Sequence, residues 1–370
     1  MTTAKPAKPF PDFPMGWHRS QYWVKRILGK LYYFGDRGDR SGKTALADYN
    51  QRSPYLYAGQ NPDDFLGDGY TLKNLCNDFI AYKAGEVEDG NLNERTLTDY
   101  RTICRTLLTS IGSGRNITTI GPDDFDKLLK DYRVNKSPAT INNFVGRVKV
   151  LFNFALKTNK LDRTNYGLRF KTVSPKAVRE HRKSKPDKLF TPDELRHCLD
   201  KADIQMKAMI MLGINCGFGN ADVGRITFAD IDLKTGWHNY GRGKTGVERR
   251  CPLWPETIEA INAWLAVRDS DSELIFIQPD GQSWHRTDRP SYAVANRFGK
   301  LGARAGLSFY CLRHSFETIG GDTKDQIAVD SIMGHAPDAN DMSAVYREAI
   351  ADKRLLDVSN FVRKHYMSGK

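Results

Sequence analysis

No stretch of about 20 uncharged apolar residues occurs in this 370-residue chain, and a helix needs that length to cross a bilayer, so a membrane span is excluded. Cysteine is sparse: the six, Cys76, Cys104, Cys198, Cys216, Cys251 and Cys311, form no Cys-x-x-Cys pair and have no histidine at zinc-finger spacing. Most sit in apolar runs and read as buried thiols, so no metal or other cofactor is expected. The opening Met-Thr-Thr-Ala-Lys-Pro-Ala-Lys-Pro-Phe has positive charge without an apolar segment behind it, which argues against a secretory signal and for a cytoplasmic protein. Acidic residues are outnumbered, 44 against 56 Lys and Arg, for a net charge of +12. Such an excess suits a polyanionic partner, because each cation placed at a phosphate releases condensed counterions. What is plentiful, 40% hydrophobic and 27% charged residues, is the makeup of a soluble globular protein, and the length calls for two or three domains.

The chain reads as multidomain and mainly α, with small β elements. Over residues 1–60, aromatic and basic residues alternate: Trp17, His18, Arg19, Tyr22, Trp23, Lys25, Arg26, Lys30, Tyr32, Tyr33 and Phe34. With turns at Gly29-Lys30 and Gly35-Asp36 this predicts a three-stranded sheet with one basic face, to which Arg37 adds. A turn-rich break follows, and from 70 to 168 the apolar spacing becomes helical. Leu72, Leu75, Cys76 and Phe79 form one stripe, Leu97, Ile103, Cys104 and Leu107 a second, and Phe125, Leu128 and Leu129 a third. A fourth runs through Val145, Val148, Leu151 and Phe152, opened by Ser137 as N-cap with Pro138 behind it.

Residues 169–188 are dominated by cations, Arg182 and Lys183 among them, and so dense a run self-repels and is expected to be an unpacked linker. Thr191-Pro192-Asp193-Glu194 then supplies an N-cap, a helix-starting proline and first-turn acids, opening a third domain over 189–370.

Within that domain five residues stand in a telling order. They are Lys244 in Gly-Arg-Gly-Lys-Thr-Gly, Tyr310 and Arg313 in Tyr-Cys-Leu-Arg-His-Ser-Phe, His335 in Met-Gly-His, and Tyr346 in Ala-Val-Tyr-Arg-Glu. The series resembles the catalytic residues of the tyrosine recombinase (phage integrase) family. Transesterification at a phosphodiester needs a nucleophile, cations where charge develops and an acid for the leaving 5′ oxygen. The resemblance implies Tyr346 as nucleophile, Arg313 as a bidentate phosphate clamp, His335 as a phosphate donor and Lys244, in a β-hairpin, as general acid. Tyr310 stands where the family usually has histidine, keeping a hydrogen-bond donor but not a group that titrates near neutrality.

The family likeness extends upstream. Ser-Pro-Ala-Thr-Ile-Asn-Asn-Phe-Val-Gly-Arg-Val-Lys resembles the last core-binding helix of integrases, which implies Thr140, Asn143, Arg147 and Lys149 near DNA. Residues 1–60 then look like an arm-type DNA-binding module using Lys25, Arg26, Lys30 and Arg37. The 169–188 segment becomes the strap of a clamp, with Arg182 and Lys183 at the backbone. The final segment, with Leu355, Leu356, Val358, Phe361 and Val362, is an amphipathic helix that in the family docks on a neighbouring subunit, implying a homotetramer on double-stranded DNA.

One family residue is missing. Recombinases usually carry Thr-Gly-Leu-Arg before an acidic position and Asp-Ile-Asp, and aligning on Asp230-Ile231-Asp232 puts Gly219 where the first arginine belongs, with Asp222 keeping the acid. Losing such a charge donor costs roughly two to five orders of magnitude in rate. Arg225 and Arg242 are candidates to replace it, although Arg225 lies about 240° from Gly219 on a continuous helix and needs a broken one to substitute. The expected function is site-specific breakage and rejoining of DNA through a 3′-phosphotyrosine, by a nucleoid-associated enzyme. The alternatives are a recombinase-derived DNA-binding protein that no longer cuts, and a type IB topoisomerase-like enzyme.

Overall fold

The computed structural model describes residues 5–62, 69–243, 245–286, 292–337, 341 and 347–368. It is mainly helical, with fourteen α-helices and two three-stranded sheets among the described residues. The chain forms two compact units, Met1–Arg182 and Lys183–Lys370. No helix among the described residues is long and apolar enough to cross a membrane.

The first unit opens with strands β1 (Gly16–Trp17), β2 (Trp23–Ile27) and β3 (Lys30–Phe34), paired antiparallel in that order. Ile27 pairs with Lys30, and the two residues between them, Leu28 and Gly29, have φ of 47° and 82°, the handedness that a two-residue hairpin loop requires. The sheet does not have the single basic face expected. Side chains alternate along β2, so Lys25 shares a face with buried Trp23 and Ile27, and Arg26 points the other way with Val24. A helix that the aromatic alternation did not signal, α1 (Lys43–Tyr57), covers the sheet, contributing Ala45 and Leu56 to a core with Phe13, Met15, Trp23, Ile27 and Phe34.

Four helices follow: α2 (Leu72–Glu88), α3 (Glu94–Ile111), α4 (Pro122–Tyr132) and α5 (Pro138–Lys157). Their shared core contains members of all four apolar stripes read from the sequence. Ser137 caps α5, its hydroxyl accepting from the Thr140 amide at 3.2 Å, with Pro138 in the first turn. This core continues past residue 168. Phe170 is buried against Phe125 and Tyr166, and the Val173 amide donates to Asn142 Oδ1 at 2.7 Å. The basic run is therefore not an unpacked strap from 169: its one aromatic residue finds an apolar slot, and a short helix, α6 (Pro175–Lys183), forms beyond with no buried side chain. The cations all stay in solvent, so local helix formation brings no desolvation cost.

The second unit is built around α8 (Ile204–Cys216), apolar on every side and buried along almost its whole length. Packed on it or around it are α7 (Pro192–Lys201), α10 (Pro255–Leu265), α11 (Tyr292–Gly299), α12 (Phe309–Gly321) and α13 (Gln326–Met333). A one-turn helix, α9 (Asn220–Val223), leads to an antiparallel sheet, β4 (Ile231–Asp232), β5 (Trp237–Asn239) and β6 (Arg250–Pro252).

The last helix, α14 (Asp352–Met367), corrects the expectation of a tail docked on a neighbour. Leu355, Val358, Val362 and Tyr366 are all buried in the core of their own unit. The Tyr366 hydroxyl donates to the Phe190 carbonyl at 2.9 Å, and Arg363 forms a fork with Glu256 at 2.8 and 2.9 Å. An amphipathic pattern says that a helix has a partner surface; it does not say whose, and here the α12 face of the same chain supplies it.

Candidate active site

Arg313 lies in the buried face of α12 and is only 3% exposed. Its guanidinium is held at both ends, Nη1 donating to the Gly217 carbonyl at 2.6 Å and Nη2 to the Met333 carbonyl at 2.5 Å. Burial lowers its pKa to about 10, and nearby Arg242 and Arg249 add to the effect, yet the group stays charged at neutral pH. Tyr310, one turn earlier, is 43% exposed, and its ring stands edge-on to His314 at a centroid distance of 5.4 Å.

α13 ends at Gly334, whose φ of 63° provides the left-handed turn that stops the helix and presents His335. Glycine is needed there twice over. A β-carbon at 334 would lie 2.6 Å from Arg249 Cδ and 3.0 Å from Arg242 Cβ. His335 Nδ1 donates to the Asp330 carboxylate at 3.0 Å, with Glu317 3.7 Å away, which orients the ring.

The loop joining β5 to β6 reaches the same place. Arg242 Nη1 and the Thr245 hydroxyl both donate to the Gly334 carbonyl, at 3.1 and 3.0 Å. Lys244 stands between these two anchors in sequence and itself lies outside the described residues, as does Tyr346. The structure thus brings Arg313, Tyr310, Arg242 and His335 together.

Around Gly219 the arrangement departs from a continuous helix. Its amide donates to Asp222 Oδ2 at 2.7 Å, capping α9, and Gly224 ends that helix after a single turn. Arg225 follows the break, pairs with His285 and lies beside Gly243 at the hairpin. The other oxygen of Asp222 accepts from Arg249 Nη2 at 2.9 Å. Sequence alone does not tell which of the adjacent Arg249 and Arg250 faces inward. Arg250 turns outward, forking onto Asp352 at 2.8 and 2.9 Å, whereas Arg249 is 1% exposed and lies against the Phe218 and Tyr240 rings.

Behind this cluster His238 on β5 is fully buried, and neither ring nitrogen has a hydrogen-bond partner. Burial holds its pKa down at about 3, with Arg249 and Arg250 adding repulsion. Cys216, His238 and Cys251 bring donor atoms within 4.8 Å of one another. Three donors fall short of the four of a structural zinc site, and the two adjacent arginines disfavour a further cation. The unfolded chain takes up a proton near pH 6.5 that folded His238 refuses, so its contribution to instability is absent above that pH and grows as pH falls. The expected loss is about 1.4 kcal/mol per pH unit between 6.5 and 3. Unfolding midpoints of wild type and His238→Leu, measured from pH 7.5 to 5, check this; parallel profiles would refute it.

The candidates upstream of residue 184 are dispersed. Thr140 and Asn143 are exposed on α5, as are Arg26, Lys30, Arg37, Arg182 and Lys183 elsewhere, and Lys25 is half-buried. Arg147 is tied to Asp99 at 2.7 Å, and the Lys149 ammonium lies 5.4 Å from the centre of the Tyr166 ring. Both therefore have structural partners that the helical pattern did not reveal.

Residues 188–349 match the phage integrase family model. The tyrosine recombinase XerC of Shewanella amazonensis is 26% identical over 269 residues, covering 70% of this chain and 86% of that protein. A lambda integrase tetramer bound to a Holliday junction superposes with a TM-score of 0.58 at 15% identity, covering 90% of this chain and 98% of the other. The Tn1549 transposon integrase, residues 82–397 in complex with circular intermediate DNA, gives 0.55 at 16%, covering 78% and 98%. At these identities the structural likenesses speak for the fold.

Proposed function

We propose that the chain is a site-specific tyrosine recombinase of the phage integrase family, which its residues 188–349 match, and that it breaks and rejoins DNA duplexes through Tyr346. The tyrosine oxygen attacks the scissile phosphorus, a 3′-phosphotyrosine forms, and the 5′ oxygen leaves with a proton supplied by Lys244. Rejoining reverses these steps with a 5′ hydroxyl from the other duplex, so the bond energy is conserved and no cofactor is consumed. The carrying observation is the convergence of the buried Arg313 and the loop that carries Lys244 on the Met333-Gly334 backbone that presents His335. Held this way, the cationic donors need no reorganisation when charge develops on the phosphate oxygens.

In this reading residues 189–370 do the chemistry, the helical domain through α5 grips the core site, the basic run near Arg182 and Lys183 lies along the backbone, and residues 1–60 bind outlying arm sites. The working form is a homotetramer on DNA, in the cytoplasm and on the nucleoid. The cis-seated α14 leaves Leu356 and Phe361 exposed, which supports a subunit contact without requiring the helix to swap.

The test uses a duplex taken from repeated junctions in the DNA flanking the gene, nicked beside the cut site so that the freed fragment diffuses away. Protein-linked DNA is expected to accumulate on a denaturing gel. Binding of the same duplex without any adduct would instead mark a protein that recognises DNA and does not cut it.

A further inference from the structure

We propose that Arg249, entering from the edge of β6, supplies the guanidinium that Gly219 lacks, and that its unspent Nη1 is a donor for the scissile phosphate. The inference rests on the recombinase reading above and names a residue which that reading does not use.

Four observations carry it. First, place: a single carboxylate, Asp222, accepts from the Gly219 amide at 2.7 Å through one oxygen and from Arg249 at 2.9 Å through the other. A side chain starting at Gly219 would head into the same space, since its β-carbon would lie 3.2 Å from the Tyr310 ring and 3.5 Å from Asp222 Oδ2. Arg249 therefore brings a guanidinium to the acid that position 219 addresses, from a different strand.

Second, the donors do not balance. Arg249 Nε gives its hydrogen to the Tyr240 carbonyl at 3.0 Å and Nη2 serves Asp222, but Nη1 is buried with no partner. A buried charge is ordinarily paired and fully hydrogen-bonded, because an unmet donor there costs about 1–3 kcal/mol. That leaves Nη1 as the donor of this guanidinium still available to a phosphate oxygen.

Third, among the described residues here cations outnumber acids. Arg313 feels both Arg242 and Arg249, and the Arg249 stem passes directly under the Gly334 turn that presents His335. Three guanidinium groups converge with Asp222 as the acid bonded among them, an arrangement that a phosphate would relieve. Fourth, the strand pattern: Arg250 faces out and Cys251 is buried, and Arg249 at the strand's edge is turned inward among aromatic rings. An inward strand-edge position ordinarily takes an apolar residue, and Arg225, the nearer candidate in sequence, is engaged with His285 instead.

The experiment measures single-turnover adduct formation on the nicked duplex, with either a normal scissile phosphate or a neutral methylphosphonate in its place. Arg249→Met is expected to slow the normal substrate by about 100- to 1,000-fold while DNA affinity is retained. On the methylphosphonate, which has no second charge to neutralise, the deficit is expected to shrink to about tenfold or less. The relocated arginine in Gly219→Arg/Arg249→Met is expected to restore at least about a tenfold gain over Arg249→Met alone. A rate for Arg249→Met close to wild type, or an equal deficit on both substrates, overturns the proposal, the latter by reducing Arg249 to a packing residue. Should Arg249→Met not fold, Arg249→Lys keeps the charge and loses the fork, and the same comparison of substrates decides. A wild type that yields no adduct overturns the recombinase reading and this inference with it; normal wild-type cleavage with an unaffected Arg249→Met overturns this inference alone.

Discussion

Tyr346→Phe is expected to abolish covalent attachment to DNA while leaving DNA binding almost unchanged. Only the hydroxyl oxygen is removed, and the ring stays. A tyrosine hydroxyl, with an ordinary pKa near 10, is a fair leaving group in the rejoining step, so the ester it forms is reversible. The measurement is the yield of protein-linked DNA from the nicked duplex, beside a gel-shift of the same DNA. Any adduct above background from the Phe variant would move the nucleophile elsewhere.

Arg313→Lys is expected to be nearly as damaging as Arg313→Ala, with each lowering the single-turnover rate by about 100-fold or more. The reason is visible in the hydrogen bonds. The two ends of the guanidinium bind the carbonyls of Gly217 and Met333, joining the loop after α8 to the end of α13. One ammonium cannot span both carbonyls and also present a planar fork to two phosphate oxygens. Both variants are therefore expected to lose some stability as well as rate. Near-normal recombination by Arg313→Lys would show that the site asks only for positive charge at this position.

Much of the fold was legible because it rests on local pattern. The four apolar stripes between 70 and 168 appear in one core, and the Ser137-Pro138 start of α5 caps as its residue types dictate. A three-stranded sheet was likewise written in the alternation, although the β2–β3 loop falls at Leu28-Gly29, one residue before the turn expected at Gly29-Lys30, and Gly35-Asp36 follows the last strand. Less legible was anything that depends on which of two faces meets which neighbour. Lys25 and Arg26 are adjacent, and so are Arg249 and Arg250, yet in each pair one residue turns toward the core and the other away. α1 was missed because its stripe is carried by Ala45, Ser53 and Leu56, which give little contrast against a polar background. The role given to the last helix was missed for a different reason: its apolar face was read correctly, but its partner was assigned to another subunit when the same chain already offered one.

By itself the sequence determined the order of Lys244, Tyr310, Arg313, His335 and Tyr346, the resemblance that this order carries, and the absence of an arginine at 219, since these are matters of residue identity and spacing. The tertiary structure alone decided what stands near that absence. Arg225 is six residues from Gly219 and Arg249 is thirty, but a one-turn helix that stops at Gly224 sends Arg225 to His285, while the antiparallel return of β6 carries Arg249 back to Asp222. Distance along the chain has no bearing on the electrostatics of a buried site; which charges meet depends on where strand pairing and helix ends leave their side chains, and that emerges only when the core closes.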